Sequence, residues 1–508
     1  MLTHVISATL LGVEALPVEV EVDVSGRGIP HFTVVGLPDA AVKESRDRVK
    51  AALRNIGFQF PLKPITINLA PADLRKEGSA FDLPIAIGLA AAEEALTPEA
   101  ARGYLITGEL SLDGRVKPVR GALSMALLAR SKGLKLIVPR ENAAEAAVVE
   151  GVEVYGMSTL PEVIAFLRSD APAPPETPDR VALLTEAHHT DEDFADVKGQ
   201  EYAKRAMEVA AAGGHSVLLI GPPGAGKTML SRRLPGILPP ISFEEAIETT
   251  QIHSVAGLLR SGALIAGRPF RTPHHTVSDI ALIGGGTHPR PGEVSLAHNG
   301  VLFLDELPEF KRATLEVLRQ PLEARSVTIS RASASVTFPA DFMLVGAMNP
   351  CPCGYHGDSR HECTCAPGAI HRYRSRISGP LLDRFDIHIE VPSVPYRDLS
   401  ADAGGEQSGA VKARVVRARD LQLARFRKSR SIYSNAAMSS RQIRTYCAPS
   451  RDAERLLESA TDRLGLSARA YTRILKLSRT IADLAGSEGI EAVHLSEAIQ
   501  YRTLDRAT

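Results

Sequence analysis

The 508-residue chain has no tryptophan, only five cysteines and no net charge, with 59 Lys and Arg against 59 Asp and Glu. Each shortage excludes something. Five cysteines in so long a chain, four of them clustered between 351 and 365, do not make a disulfide scaffold. Balanced charge supplies no global positive field, so any nucleic-acid binding has to rest on local patches. Aromatic residues at 5% and hydrophobic residues at 44% are an ordinary soluble composition. Nothing resembles a membrane span, and no basic leader opens the chain. The first apolar stretch soon becomes Val18-Glu-Val-Glu-Val-Asp-Val24, an alternation that predicts a half-buried strand. These features predict a cytoplasmic protein with no membrane partner.

Length predicts roughly three domains. Ala171-Pro-Ala-Pro-Pro-Glu-Thr-Pro178 has little capacity to pack and reads as a linker. Ser400-Ala-Asp-Ala-Gly-Gly-Glu-Gln-Ser-Gly409 is a second, polar connector. The expected organisation is an N-terminal domain over 1–168, a linker over 169–195, a nucleotide-binding module over 196–395, and a connector with a helical domain over 396–508.

What is present is more telling. Gly221-Pro-Pro-Gly-Ala-Gly-Lys-Thr228 directly follows the apolar run Ser216-Val-Leu-Leu-Ile220. In the order strand, glycine-rich loop, helix, this spacing predicts a phosphate-binding loop. Gly221, Gly224 and Gly226, with Pro222, Pro223 and Ala225 between them, let backbone N–H groups close around a polyphosphate. Lys227 reaches its β- and γ-phosphates, and the Thr228 hydroxyl can ligate Mg²⁺. A second run, Val301-Leu-Phe-Leu-Asp-Glu306, ends in two carboxylates. Asp305 is expected to hold Mg²⁺ and Glu306 to polarise the attacking water. A third, Phe342-Met-Leu-Val-Gly-Ala-Met348, ends at Asn349, whose amide could orient the same water. Strands alternating with helices, with polar residues at their carboxyl ends, predict a parallel α/β sheet. ATP and Mg²⁺ are the expected cofactors.

The segment from Asp196-Val-Lys-Gly-Gln200 to Val391 resembles the AAA+ ATPases related to the ATPase subunit of magnesium chelatase and to the MCM helicases. The stretches His298-Asn-Gly-Val-Leu-Phe-Leu-Asp-Glu-Leu-Pro308, Met348-Asn-Pro-Cys-Pro-Cys-Gly354 and Ser378-Gly-Pro-Leu-Leu-Asp-Arg-Phe-Asp386 look like the YifB/ComM group of magnesium-chelatase-like proteins. The resemblance implies an arginine finger at Arg384, acting across a ring interface, and a hexamer. It also implies a lid arginine at Arg469 that contacts phosphates; Arg473, four residues on, is either a second such group or part of a solvated face. Ser326–Phe338 alternates like a hairpin with Arg331 near its tip, the place where MCM-like rings carry basic groups into the channel. His274 and His275, in an insertion also matching the superfamily, are expected to be structural rather than a metal pair.

Cys351, Cys353, Cys363 and Cys365 suit tetrahedral Zn²⁺, as a staple between the Asn349 and Arg384 elements, although C-x-C is tighter than the usual spacing. Cys447 stands alone. The basic runs 411–419 and 425–430 favour nucleic acid or a solvated helix face equally. The N-terminal segments Pro71–Ala80 and Gly108–Pro118 are similar to the proteolytic domain of Lon proteases, with Ser79 near the nucleophile's place. Leu123 stands where that family's lysine would fall, so a Lon-like domain without peptidase activity is expected. The functional expectation is a ring ATPase that remodels or translocates DNA, single-stranded or branched, as in branch migration or unwinding. The alternative is the ATPase partner of a metal chelatase or of a protein-remodelling complex.

Overall fold

The computed structural model describes residues 1–508 apart from 27, 180–182, 184–191, 260–262, 287–288, 332–334, 396–404, 430–431 and 503–508. The tip of the expected hairpin, parts of both expected linkers and Arg430 therefore lie outside the described residues. The chain folds as two compact units. One joins 1–187 with 243–266 and 330–337; the other joins 188–242, 267–329 and 338–508.

Valine alternating with charge builds the first unit. Along the strand Glu14–Val24, Val18, Val20 and Val22 are fully buried while Glu19 is exposed. The strand pairs antiparallel with Leu2–Leu11 on one edge and with Ile65–Ala70 on the other. The seven-stranded sheet runs in the order Phe32–Val35, Ile65–Ala70, Glu14–Val24, Leu2–Leu11, Tyr104–Ile106, Lys135–Pro139, Val154–Met157. Helix Asp82–Ala92 packs against it with every residue buried. Asp82 tolerates this burial because Arg48 donates to both its oxygens, at 2.6 and 3.0 Å. The helix Phe243–Ala256 also belongs to this unit, although in sequence it lies inside the nucleotide-binding segment. Gln251 donates to the Val13 carbonyl at 2.7 Å, and the Ser254 hydroxyl donates to the buried carboxylate of Glu145.

In the second unit five parallel strands lie in the order Phe270–Arg271, Val301–Leu304, Met343–Met348, Val217–Ile220, Ile387–Glu390. Val217–Ile220, Val301–Leu304 and Met343–Met348 are buried at every position, the pattern of a parallel sheet covered on both faces. Leu304 pairs with Gly346, and Ile220 with Met348, so the three carboxyl ends finish side by side. Open parallel sheets bind ligands at that edge.

Helices Ser408–Phe426, Arg451–Leu464, Ala468–Leu484 and Ala492–Gln500 make up most of the C-terminal part. A polar knot ties it together. Asp483, 3% exposed, accepts from Arg425 at 2.5 and 2.8 Å, from Arg479 at 3.0 Å and from Asn435 at 2.8 Å. The basic runs are thus partly absorbed by the fold. Arg414 pairs with Glu208 and Glu406, and Arg419 donates to the carbonyls of Ala211 and Ala212. No helix among the described residues is long and apolar enough to cross a membrane. The fold is α/β and multidomain, with a mixed-sheet N-terminal unit, a parallel-sheet phosphate-loop core and a helical C-terminus.

Candidate nucleotide site and arginine cluster

The loop 221–226 turns from strand Val217–Ile220 into helix Lys227–Ile237, with Gly224 and Gly226 at φ of +75° and +84°, where a side chain would be strained. Lys227 is 8% exposed, and its ammonium donates to the carbonyls of Gly221 and Pro222 at 2.7 and 2.9 Å and to Asn349 Oδ1 at 3.1 Å. Burial lowers its pKa, against the pull of Asp305 and Glu306. The Thr228 hydroxyl donates to Asp305 Oδ2 at 2.6 Å. A cavity of about 440 Å³ is lined by Pro223–Met229, Asp305, Glu306, Met348 and Asn349. The three carboxyl strand ends thus bring phosphate donors, a hydroxyl-carboxylate pair, a second carboxylate and an amide together in one cavity.

Two neighbours of this cavity carry no catalytic expectation from the sequence. His275 Nδ1 lies 3.5 Å from Glu306 Oε2, so the residue expected to be structural is the polar partner of Glu306. Gln200 donates to the carbonyls of Ala225 and Pro392 at 2.7 and 3.1 Å, pinning the phosphate loop from outside. Glu306 itself sits at φ of +51°, a left-handed conformation that is costly for a residue with a Cβ.

The three expected arginines gather elsewhere. Arg384 pairs with Glu323, Arg469 Nη1 lies 3.5 Å from Asp383, and Arg473 Nη1 lies 3.2 Å from Asp386 and donates to the Phe385 carbonyl at 2.8 Å. None of them lines the phosphate-loop cavity. Burial and the nearby Arg469, Arg473 and Arg319 lower the Arg384 pKa, and its buried Nε has no hydrogen-bond partner among the described residues.

Sγ of Cys351 lies 3.3 Å from that of Cys353 and 3.7 Å from that of Cys363; Cys353 and Cys363 are 3.6 Å apart, and all four Sγ atoms, Cys365 included, fall within 4.8 Å of one another. Four thiolates on Zn²⁺ at about 2.3 Å stand about 3.8 Å apart in a tetrahedron, so the set fits that metal. Backbone N–H groups of Cys353 and His356 donate to the sulfurs of Cys365 and Cys351, each at 3.3 Å. The lobe abuts the nucleotide site. A Cβ on Gly354, at φ of +89°, would lie 2.5 Å from Cδ of Pro223.

In the first unit, the Ser79 hydroxyl donates to Glu109, and Leu123 is fully buried with its N–H on Glu145. Arg331 is exposed directly after strand Ser326–Ser330, which pairs with Ser335–Pro339 as the alternation predicts.

Known proteins match the chain from end to end. The family described as "Magnesium chelatase, subunit ChlI" matches residues 193–399, "Subunit ChlI of Mg-chelatase" matches 20–142, and "Magnesium chelatase, subunit ChlI C-terminal" matches 405–502. The chain is 48% identical to the uncharacterized protein YifB of Salmonella typhimurium over 98% of its own length and 96% of that protein's. It is 46% identical to the competence protein ComM of Haemophilus influenzae, covering 99% of this chain and 98% of that one. A magnesium-chelatase 67 kDa subunit of Chlorobaculum parvum is 28% identical over 31% of this chain and 23% of its own. With matches this long on an AAA+-type sheet and phosphate loop, the chain belongs to the YifB/ComM family of magnesium-chelatase-like AAA+ proteins.

Proposed function

We propose that this protein hydrolyses ATP with Mg²⁺ as a closed ring, a hexamer, and spends the cycle on moving or remodelling single-stranded or branched DNA. One observation carries the reading. Lys227, Thr228, Asp305, Glu306 and Asn349 share a cavity, whereas Arg384, Arg469 and Arg473 cluster apart from it. A phosphoryl-transfer site needs cationic stabilisation of the γ-phosphate, so the arginines of one chain complete the cavity of the next. Heterologous contacts of that kind close into rings.

Within the site, Lys227 leaves the loop carbonyls for the phosphates when nucleotide enters. Thr228 and Asp305 hold Mg²⁺, Asn349 and Glu306 place the water, and Glu306 takes its proton. The four cysteines hold Zn²⁺ beside the loop. The N-terminal unit serves the architecture of the ring and cleaves no peptide, because Leu123 stands buried where a Lon-type lysine is expected and the Ser79 hydroxyl is engaged by Glu109 instead. DNA as the moved polymer draws support from the competence protein among the relatives and from exposed Arg331 on the hairpin. A chelatase role has less behind it, since the 67 kDa chelatase subunit is 28% identical over 31% of the chain, whereas the competence protein is 46% identical over 99%.

The test is a pair of variants. Lys227→Ala is expected to lose ATP binding, whereas Glu306→Gln keeps it and turns ATP over about 10²–10⁴-fold more slowly. Unchanged turnover by Glu306→Gln removes that residue from the mechanism.

A further inference from the structure

Beside the phosphate-loop cavity lies another of about 650 Å³, and Glu306 and Asn349 stand in the walls of both. Its far side is formed by Pro352 of the cysteine lobe, by Arg372 and Tyr373 of helix Pro367–Arg374, and by Arg376 just beyond. A third cavity of about 490 Å³ adjoins it, sharing Glu309, Arg372 and Arg376 and adding Arg312. The three spaces adjoin in sequence, each sharing wall residues with the next.

The charges along this path are unevenly paired. Arg376 takes up Glu309, at 3.1 Å from each carboxylate oxygen, and Glu306 has His275 at 3.5 Å. Arg372 has no such counter-ion. Its Nε donates only to the Gly368 carbonyl of its own helix at 3.3 Å, and among the described residues no carboxylate lies within ion-pair distance. Tyr373 is buried beside it and bonded to the Asn349 backbone; burial, reinforced by Glu309, pushes its hydroxyl up to about 12. The wall facing Glu306 and Asn349 thus offers an unpaired guanidinium and a phenol that keeps its proton.

We propose that this cavity is a binding site for inorganic phosphate, with Arg372 as its anion-binding group, and that it receives the product as it leaves the nucleotide. The inference rests on the ATPase reading above. Hydrolysis beside Glu306 and Asn349 frees a multiply charged anion at the boundary between the two cavities. The planar guanidinium fork matches phosphate oxygens two at a time, which suits Arg372 to that ligand. Arg376, shared by this cavity and the next, is engaged by Glu309, and Arg312 adds a further guanidinium in the third cavity.

The experiment titrates inorganic phosphate into the full-length, ADP-loaded protein by calorimetry, for wild type, Arg372→Ala and Arg372→Lys. In parallel, a fluorescent phosphate sensor follows release during a single turnover. Arg372→Ala is expected to weaken phosphate binding about tenfold or more, the loss typical of a charge-assisted hydrogen bond. It should also hasten release, keep ADP affinity within about twofold and leave the melting temperature unchanged, with Arg372→Lys intermediate. Equal phosphate affinity in wild type and Arg372→Ala overturns the site. So does an equal loss of ADP and phosphate affinity, which makes Arg372 part of the nucleotide pocket instead. The calorimetry does not need turnover, so a wild type that binds phosphate but hydrolyses no ATP contradicts the ATPase reading and leaves the site standing.

Discussion

Glu306 carries its carboxylate on a left-handed backbone, at the end of a strand and within reach of His275. Nothing in the run Val301–Glu306 announces either fact. The two carboxylates are legible because their spacing after an apolar strand is local; the His275 contact is set by how strands Phe270–Arg271 and Val301–Leu304 lie side by side. The same contrast holds for His388 in strand Ile387–Glu390. It is an unremarked histidine in the sequence, yet burial, helped by Arg502 and Arg473, drives its pKa down to about 3. A base depressed in the fold takes its proton only on unfolding. From its ordinary value near 6.5 down to about 3, the unfolded chain therefore binds more protons and acid favours unfolding. His388→Leu is expected to flatten the fall in stability across that window, by up to about 1.4 kcal/mol per pH unit, as read by denaturant titration at a series of pH values. An unchanged slope would show that His388 does not titrate with unfolding.

At the scale of elements, alternation predicted a half-buried strand at Val18–Val24, found within Glu14–Val24, and a hairpin over Ser326–Phe338, found as Ser326–Ser330 paired with Ser335–Pro339. The destination of helix Phe243–Ala256 was not legible. Its ties run through Gln251 to Val13 and through Ser254 to Glu145, partners more than a hundred residues away. The basic stretch around Arg414 and Arg425 was ambiguous for the same reason, since Glu208 and Asp483 are distant in sequence. The cysteine lobe was legible as a cluster, but its contact with Pro223 was not. Elemental analysis is expected to find about one Zn²⁺ per chain. Cys363→Ser should lose the metal and lower the melting temperature by several degrees. Gly354→Ala should keep the metal but weaken ATP binding, because its Cβ meets Pro223. A metal-free protein of unchanged stability would leave the four thiols without that role.

For the whole molecule, the ring proposed above makes a single chain an incomplete enzyme, because none of the clustered arginines lines the phosphate-loop cavity. Arg384→Ala and Lys227→Ala should each be inactive alone. Mixed in equal amounts they should recover part of the ATPase activity, since some interfaces then join an intact cavity to an intact finger. No recovery in mixtures shown by native mass to co-assemble would place Arg384 within its own site or outside the reaction.

The central claim, that hydrolysis moves DNA, is tested most directly by strand displacement and branch migration on forked and four-way DNA with purified full-length protein. The account predicts ATP-dependent movement by the wild type, none by Glu306→Gln, and in Arg331→Ala a loss of movement with ATP hydrolysis largely kept. A wild type that hydrolyses ATP yet leaves both substrates unmoved would contradict it.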